Sequence, residues 1–499
     1  MADAIAAEYI HESRSEMLRT YNANANFSKE PDAWPMAMRR AGRMAWLSTV
    51  CVSLMACSNP EQEISEMSVA MEELMADTDL QQSSEDASPV PLEDGFIPAL
   101  RAAVLGNAGY RAALNTEAET AARIGVAMSA RRPQITGNAT AGGLRESGSG
   151  PDATTTGLAS TINLSQLIYD GGETAAGIDQ ATAAAIGARA EREARGNDLA
   201  LQAAKAWIDV WQFQGRLALL RTRTTEMDTL IGQLERMASN GMVDRAAMDS
   251  ARRQIVDISL EETRLLADLE DAQVRFARYY RVDPTELAAP PQLMTLDVVR
   301  ALSTEWGQAP VLERSAAELL GARSAVTIAE AAFKPSARVQ AGVRSPLGEN
   351  ETTDTSIGVV LEYTFGDGGR RRAELEAAQT REAAARDQFL DAQQATEAEI
   401  QAALSRLSAI ERSMPLVAEQ VRLSASEAST SRSQITTGQS NLRQLVEAEI
   451  ENYRAQDRRL AMQAERMVLM LSIAAQTGEL TQRIGLDDTA DVSHAETED

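Results

Sequence analysis

Residues 94–482 predict a mainly α-helical fold with a small β part. It is built from two copies of one unit, a strand pair followed by a long helical hairpin. Three observations predict it. "LIYDGG" at 167–172 and "TFGDGG" at 364–369 each close an alternating run and open a long alanine-rich, charged stretch. Asp170, Gly171 and Gly172 of the first corner recur as Asp367, Gly368 and Gly369, an offset of 197. Gly241, in "MASNGMVDRAAM", and Gly438, in "ITTGQSNLRQLV", interrupt the helical pattern at the same offset. Landmarks that stay in register over this distance mark an internal duplication.

The chain start reads as an address. Arg39, Arg40 and Arg43 precede an apolar run from Met44 to Met55, a length suited to a signal peptide and too short for a mature membrane span. Leu54-Met55-Ala56-Cys57 resembles the lipobox of bacterial lipoproteins, which implies acylation of Cys57; the alternative is a chance cysteine behind an ordinary signal peptide. Residues 1–35 fit neither, so the expected true start is Met36 or Met38, and 1–57 reads as a misassigned start plus signal peptide. Residues 58–93 are polar and acidic and are expected to form a disordered tether. The remaining divisions are a first repeat over 94–282, a linker over 283–300, a second repeat over 301–482 and a disordered acidic tail over 483–499.

Composition narrows the function classes. Hydrophobic residues make up 44% but aromatic residues only 4%, as suits long helices packed through alanine. A net charge of −25 argues against nucleic acid, whose phosphates need clustered Lys and Arg. The only histidines are His11 and His494, and the only cysteines Cys51 and Cys57, all near the termini. The expectation is no enzyme, no cofactor and no metal site.

Each copy opens with two alternating runs. In the first, "PQITGNATA" after Pro133 is followed by Leu158, Ile162, Leu164 and Ile168 alternating with small or polar residues. In the second, "PSARVQAGV" after Pro335 precedes Ile357, Val359, Leu361, Tyr363 and Phe365. Turn-rich connectors, "RESGSGPDAT" and "RSPLGENETT", join the partners. Strands of about 9–11 residues suit a tilted bilayer crossing. Four cannot close a barrel, and an open edge is not tolerated in lipid, so several chains would have to share one. Tyr169, Tyr363 and Phe365 would then lie in an interfacial aromatic belt.

After each corner the helical pattern spans nearly seventy residues, roughly 100 Å at 1.5 Å per residue, which implies paired helices. Ala203, Trp207, Val210 and Phe213 follow helical spacing, as do Ile400, Leu404 and Leu407. Gly215 and Pro415, three positions apart in register, predict a bend at similar height.

The corner sequences, "ARRPQITG" and "AFKPSARV" before the strands, and "NGMVDRAAMDSARRQ" and "TGQSNLRQLVEAEIE" at the helix turns, together resemble the TolC-type outer-membrane efflux protein family. The resemblance covers roughly residues 94–482. It implies a homotrimer whose twelve strands close one outer-membrane barrel in contact with lipid, continued by an α-barrel tunnel into the periplasm. It implies shorter helices over Ala99–Arg131, 241–281, Val311–Ala332 and 439–476. It also implies a passive conduit served by a periplasmic adaptor and an inner-membrane pump, of RND or ABC type, for efflux or type I secretion. Adaptor docking would fall at the turns, on Asn240, Gly241, Met242, Val243, Thr437, Gly438, Gln439 and Ser440. The periplasmic gate would involve Glu447, Gln444 and Asp244, with Glu447 forming a cation-attracting ring or being a plain solvated helix residue. A lipid-anchored periplasmic coiled-coil scaffold without a pore is the alternative.

Overall fold

The computed structural model describes residues 60–75, 89–146, 153–239, 245–345, 352–436 and 442–486. Two units are distinguished, residues 1–84 and 85–499. In the first, α1 (Pro60–Met75) is helical and its Met67, Met71 and Leu74 side chains are exposed. This corrects the expectation of a structureless tether. Proline is favoured at the first helical position, and the Met, Glu, Ala and Leu that follow are good helix formers.

The second unit starts before residue 94. Val90 is buried, and its N–H donates to the Tyr280 carbonyl at 3.0 Å. Next come α2 (Phe96–Leu105) and α3 (Ala108–Ser129), two helices where one was expected over Ala99–Arg131. Asn107 explains the break, because its side chain accepts from Gly109 N at 2.8 Å and starts α3 afresh.

Strands β1 (Gln134–Glu146) and β2 (Ala153–Tyr169) lead into α4 (Glu173–Ser239) and α5 (Arg245–Tyr280). After α6 (Leu296–Leu302), the second copy repeats the order with α7 (Pro310–Ala331), β3 (Ser336–Ser345), β4 (Asp354–Glu362), α8 (Arg370–Thr436) and α9 (Leu442–Gln476). A short α10 (Glu479–Arg483) follows.

The duplication holds to the residue. α4 and α8 are each 67 residues long, and both ends are related by the offset of 197. α3 and α7 are each 22 residues long, offset by 202 at both ends. The five-residue difference is absorbed in the hairpins. Strands β1 and β2, at 13 and 17 residues, exceed the expected length, whereas β4 stops at Glu362. Tyr363 and Phe365 therefore lie past the strand, where their rings meet edge to face at 4.8 Å.

α4 runs unbroken through Gly215, and α8 through Pro415. A Cβ on Gly215 would lie 2.8 Å from Leu460 Cδ2, so this glycine lets α9 approach α4 closely.

α4 is the central strut. It packs against α3, α5, α7 and α9, and α7 in turn bridges to α8. Ala200, Ala203, Ala204 and Ala206 are buried along it, and their small side chains permit this crowding. Large residues gather at one level, where Trp207 meets Phe96, Phe276 and Tyr280 at centroid distances of 5.4–5.8 Å. The stretch after α5, expected as a linker, is pinned here. Trp207 Nε1 donates to Ala288 O at 3.1 Å, and Gln214 Nε2 to Thr285 O at 2.7 Å. The body also extends beyond residue 482, since Ile484 and Leu486 are buried. The expected tail boundary therefore moves to Leu486, because these apolar side chains complete the same core.

Candidate functional site

The four strands form one antiparallel sheet in the order β1-β2-β3-β4. Residues directly opposite each other in neighbouring strands share a face. The register places Ile135, Leu164, Ala341 and Ile357 in one row across the sheet. The adjacent row contains Thr136, Asn163, Gly342 and Ser356. One face is thus apolar and the other polar or small, as the alternation in sequence required.

Among the described residues, neither face is covered. Among the described residues of the four strands none is buried, and Ile135, Ile162, Ile357 and Leu361 are 59–82% exposed. β1 and β4 are edges, each with one row of backbone groups unpaired in the single chain. Among the described residues no helix is long and apolar enough to cross a membrane.

The two corners share one construction. Gly171 and Gly172 have φ of 71° and 100°, and Gly368 and Gly369 have φ of 69° and 94°. Only glycine adopts such values without strain. Asp170 accepts from Gly172 N at 3.0 Å and Thr174 N at 2.7 Å, and Asp367 from Gly369 N and Arg371 N, both at 3.1 Å. Each aspartate therefore caps the helix that follows it. Burial pushes the Asp170 carboxyl up, but the hydrogen bonds from Thr174 and Gly172 outweigh it and leave the group below its ordinary range. Asp367 is lowered chiefly by its side-chain hydrogen bond with Arg371, Nε to Oδ2 at 2.7 Å.

Beyond the Arg371 pairing, the corners differ in a second respect. Lys334, two residues before β3, donates from Nζ to Gly171 O at 2.9 Å and crowds the Gly171 Cα. Nothing lies within 4 Å of a Cβ built on Gly368.

At the far end of the long helices, α4, α5 and α9 enclose a second apolar cluster that includes Leu220, Met227, Ile258 and Tyr453. Ion pairs on its flanks tie the helices together. Arg216 grips Asp457 with two hydrogen bonds, 2.6 and 3.2 Å. Arg432 pairs with Glu449 and reaches Glu226 of α4 at 3.2 Å. Tyr453 Oη donates to Glu261 at 3.0 Å, with the buried Arg223 over its ring at 4.6 Å. Burial pulls the Arg223 guanidinium down from its ordinary value, against the opposing charge of Glu261.

Sequence reading missed these residues. The repeat offset held a signal, because Glu235 and Arg252 of the first copy form the charge-reversed equivalent of Arg432 and Glu449, at 3.8 Å.

Glu447 and Gln444 both face outward near the start of α9. Glu447 is paired with Arg443 one turn earlier, at 2.8 Å. Asp244, the tip residues Asn240, Gly241, Met242, Val243, Thr437, Gly438, Gln439 and Ser440, and Cys57 lie outside the described residues.

A family model described as "Outer membrane efflux protein" matches residues 104–280 and 302–479, one match for each repeat. The chain belongs to the outer membrane efflux protein family. No curated protein matches. Among solved structures, the outer membrane protein VceC of Vibrio cholerae aligns with a TM-score of 0.67 at 16% identity, over 77% of this chain and 96% of that one. The MtrE outer membrane channel of Neisseria gonorrhoeae aligns at 0.65 and 18%, over 76% and 88%. The CmeC outer membrane channel of Campylobacter jejuni aligns at 0.66 and 14%, over 76% and 85%. At these identities the likeness concerns the fold. An outer membrane efflux protein of this fold is mainly helical with a small sheet, as the sequence predicted.

Proposed function

We propose that three copies of this chain close one twelve-stranded barrel in the outer membrane, and that the long helices continue it as a periplasmic tunnel. The observation that carries this reading is the uncovered sheet with its apolar face, polar face and two free edges. Such a face is stable against lipid, and the edges are satisfied once neighbouring copies pair them. The polar face then lines the pore. VceC, MtrE and CmeC, which share the fold, are an outer membrane protein and two outer membrane channels.

The chain acts as a passive conduit rather than a catalyst. An inner-membrane pump supplies the energy, and a periplasmic adaptor docks at the helix turns around Asn240–Val243 and Thr437–Ser440. Acylated Cys57 anchors the chain in the membrane. Glu447 and Gln444, with Asp244, ring the periplasmic mouth, and each Glu447 charge is offset by its Arg443 partner. The bonds from α4 to α9 and α8, Arg216–Asp457 and Arg432–Glu226, hold that mouth narrow. A scaffold without a pore gives no role to the uncovered sheet. Planar-bilayer recording of the detergent-extracted protein tests the conduit: discrete single-channel steps are expected, and a protein that never conducts contradicts it.

A further inference from the structure

This inference rests on the shared-barrel reading and adds the contacts between copies. The two repeats of one chain already form a repeat-to-repeat interface, in which β2 pairs with β3, α7 and α9 pack on α4, and Lys334 fills the Gly171 corner. The second repeat has no such neighbour on its far side. Its free edge is β4, its long helix is α8 and its open corner is Gly368. The first repeat has the complementary vacancy at β1, α3 and α5.

Exposure of repeat-equivalent residues shows how incomplete the single chain is. Leu471 of α9 is 5% exposed, whereas its counterpart Val274 of α5 is 67% exposed. Tyr453 is 6% exposed and its counterpart Val256 is 58% exposed. In α9 these positions belong to the packed body that includes α4. The repeat equivalent of α4 is α8, so α5 awaits the α8 of another copy.

The offsets convert this into a register. Leu164 pairs with Ala341, and Ser165 with Gln340. Moving the β2 residue forward by 197 and the β3 residue back by 202 gives Leu361 opposite Ala139, and Glu362 opposite Asn138. Lys334 becomes Arg132, and Gly171 becomes Gly368. We propose that β4 of one copy pairs antiparallel with β1 of the next in this register, and that Arg132 of the next copy donates to the Gly368 carbonyl. Side-chain size agrees. The large Leu361 and Val359 meet the small Ala139 and Ala141, and the apolar face runs on across the junction. Arg132 is exposed, and its guanidinium has no partner among the described residues.

Cysteine pairs in the full-length protein, oxidised in native outer membranes, test the register. Leu361→Cys with Ala139→Cys, and Glu362→Cys with Asn138→Cys, sample both classes of directly opposed pair. Within one chain β1 and β4 lie three strand spacings apart, about 14 Å, beyond disulfide reach. Any bond at these sites therefore joins two copies. Covalent oligomers reversed by reductant are expected from at least one register pair. None is expected from Leu361→Cys with Gly143→Cys, nor from a control carrying only the natural cysteines. Stronger bonding in the displaced pair, or no bonding in either register pair of a protein that remains trimeric, overturns the register. A protein that is monomeric in the membrane overturns the shared barrel itself, and the register with it.

Heating the trimer in detergent tests the corner. Arg132→Ala should dissociate at a lower temperature than the parent, and Arg132→Lys, which copies the Lys334 arrangement, should not. An unchanged Arg132→Ala trimer overturns the corner contact.

Discussion

Asp170 and Asp367 show how one residue type sets a boundary in the fold. Each precedes a pair of left-handed glycines and caps a helix of 67 residues. Asp170→Ala should cost about 1 kcal/mol, a typical cap loss. The Asp170 carboxyl is held below its ordinary value, so its contribution is complete above pH ~4 and fades as pH falls through the lowered folded value. Thermal melts of wild type and Asp170→Ala followed by circular dichroism should therefore differ at pH 7 and converge in acid. A difference that grows in acid would contradict the cap. Both corners were legible in the sequence because Asp-Gly-Gly stands twice, at one offset, between an alternating run and a long helical pattern. Lys334 was not legible as a partner, because its contact depends on which strand lies next to which corner, whereas Arg371 is a local partner four residues after Asp367.

At the scale of elements, the hairpins and long helices followed from periodicity and the repeat. The Gly106–Asn107 break escaped because an N-cap in mid-pattern looks like any polar helix residue. The early end of β4 escaped because Tyr363 and Phe365 continue the alternation after pairing has stopped. The ion pairs between the long helices belong to this scale too. Removing Arg216 leaves Asp457 partly buried and unpaired, a loss of about 1–3 kcal/mol in the α4–α9 contact. Arg216→Ala should therefore widen the mouth, seen as a larger single-channel conductance than wild type. Unchanged conductance would remove this pair from the closure. Glu447 offers a second test, because its pairing with Arg443 changes what the sequence alone suggested. Arg443→Ala frees the Glu447 charge and should raise cation selectivity, measured as a reversal-potential shift in a salt gradient. Glu447→Ala should shift it the other way. Equal reversal potentials in all three proteins would show that neither residue faces the ion path.

At the scale of the whole molecule, the proposed assembly accounts for what one copy leaves open. Among its described residues, a single copy leaves an apolar sheet face open, two strand edges unpaired, and exposed side chains on α5 whose repeat mates are buried. A sheet of four strands can be stable alone when something covers its hydrophobic face, but no buried residue lies in these strands among those described. The sequence led to the expectation of a shared barrel through strand count and alternation. The proposed register between copies was out of its reach, because that depends on the internal interface between repeats. Native mass spectrometry of the detergent-extracted protein is the most direct test. The account predicts a complex of three identical chains, and a stable single chain with its sheet intact would contradict it.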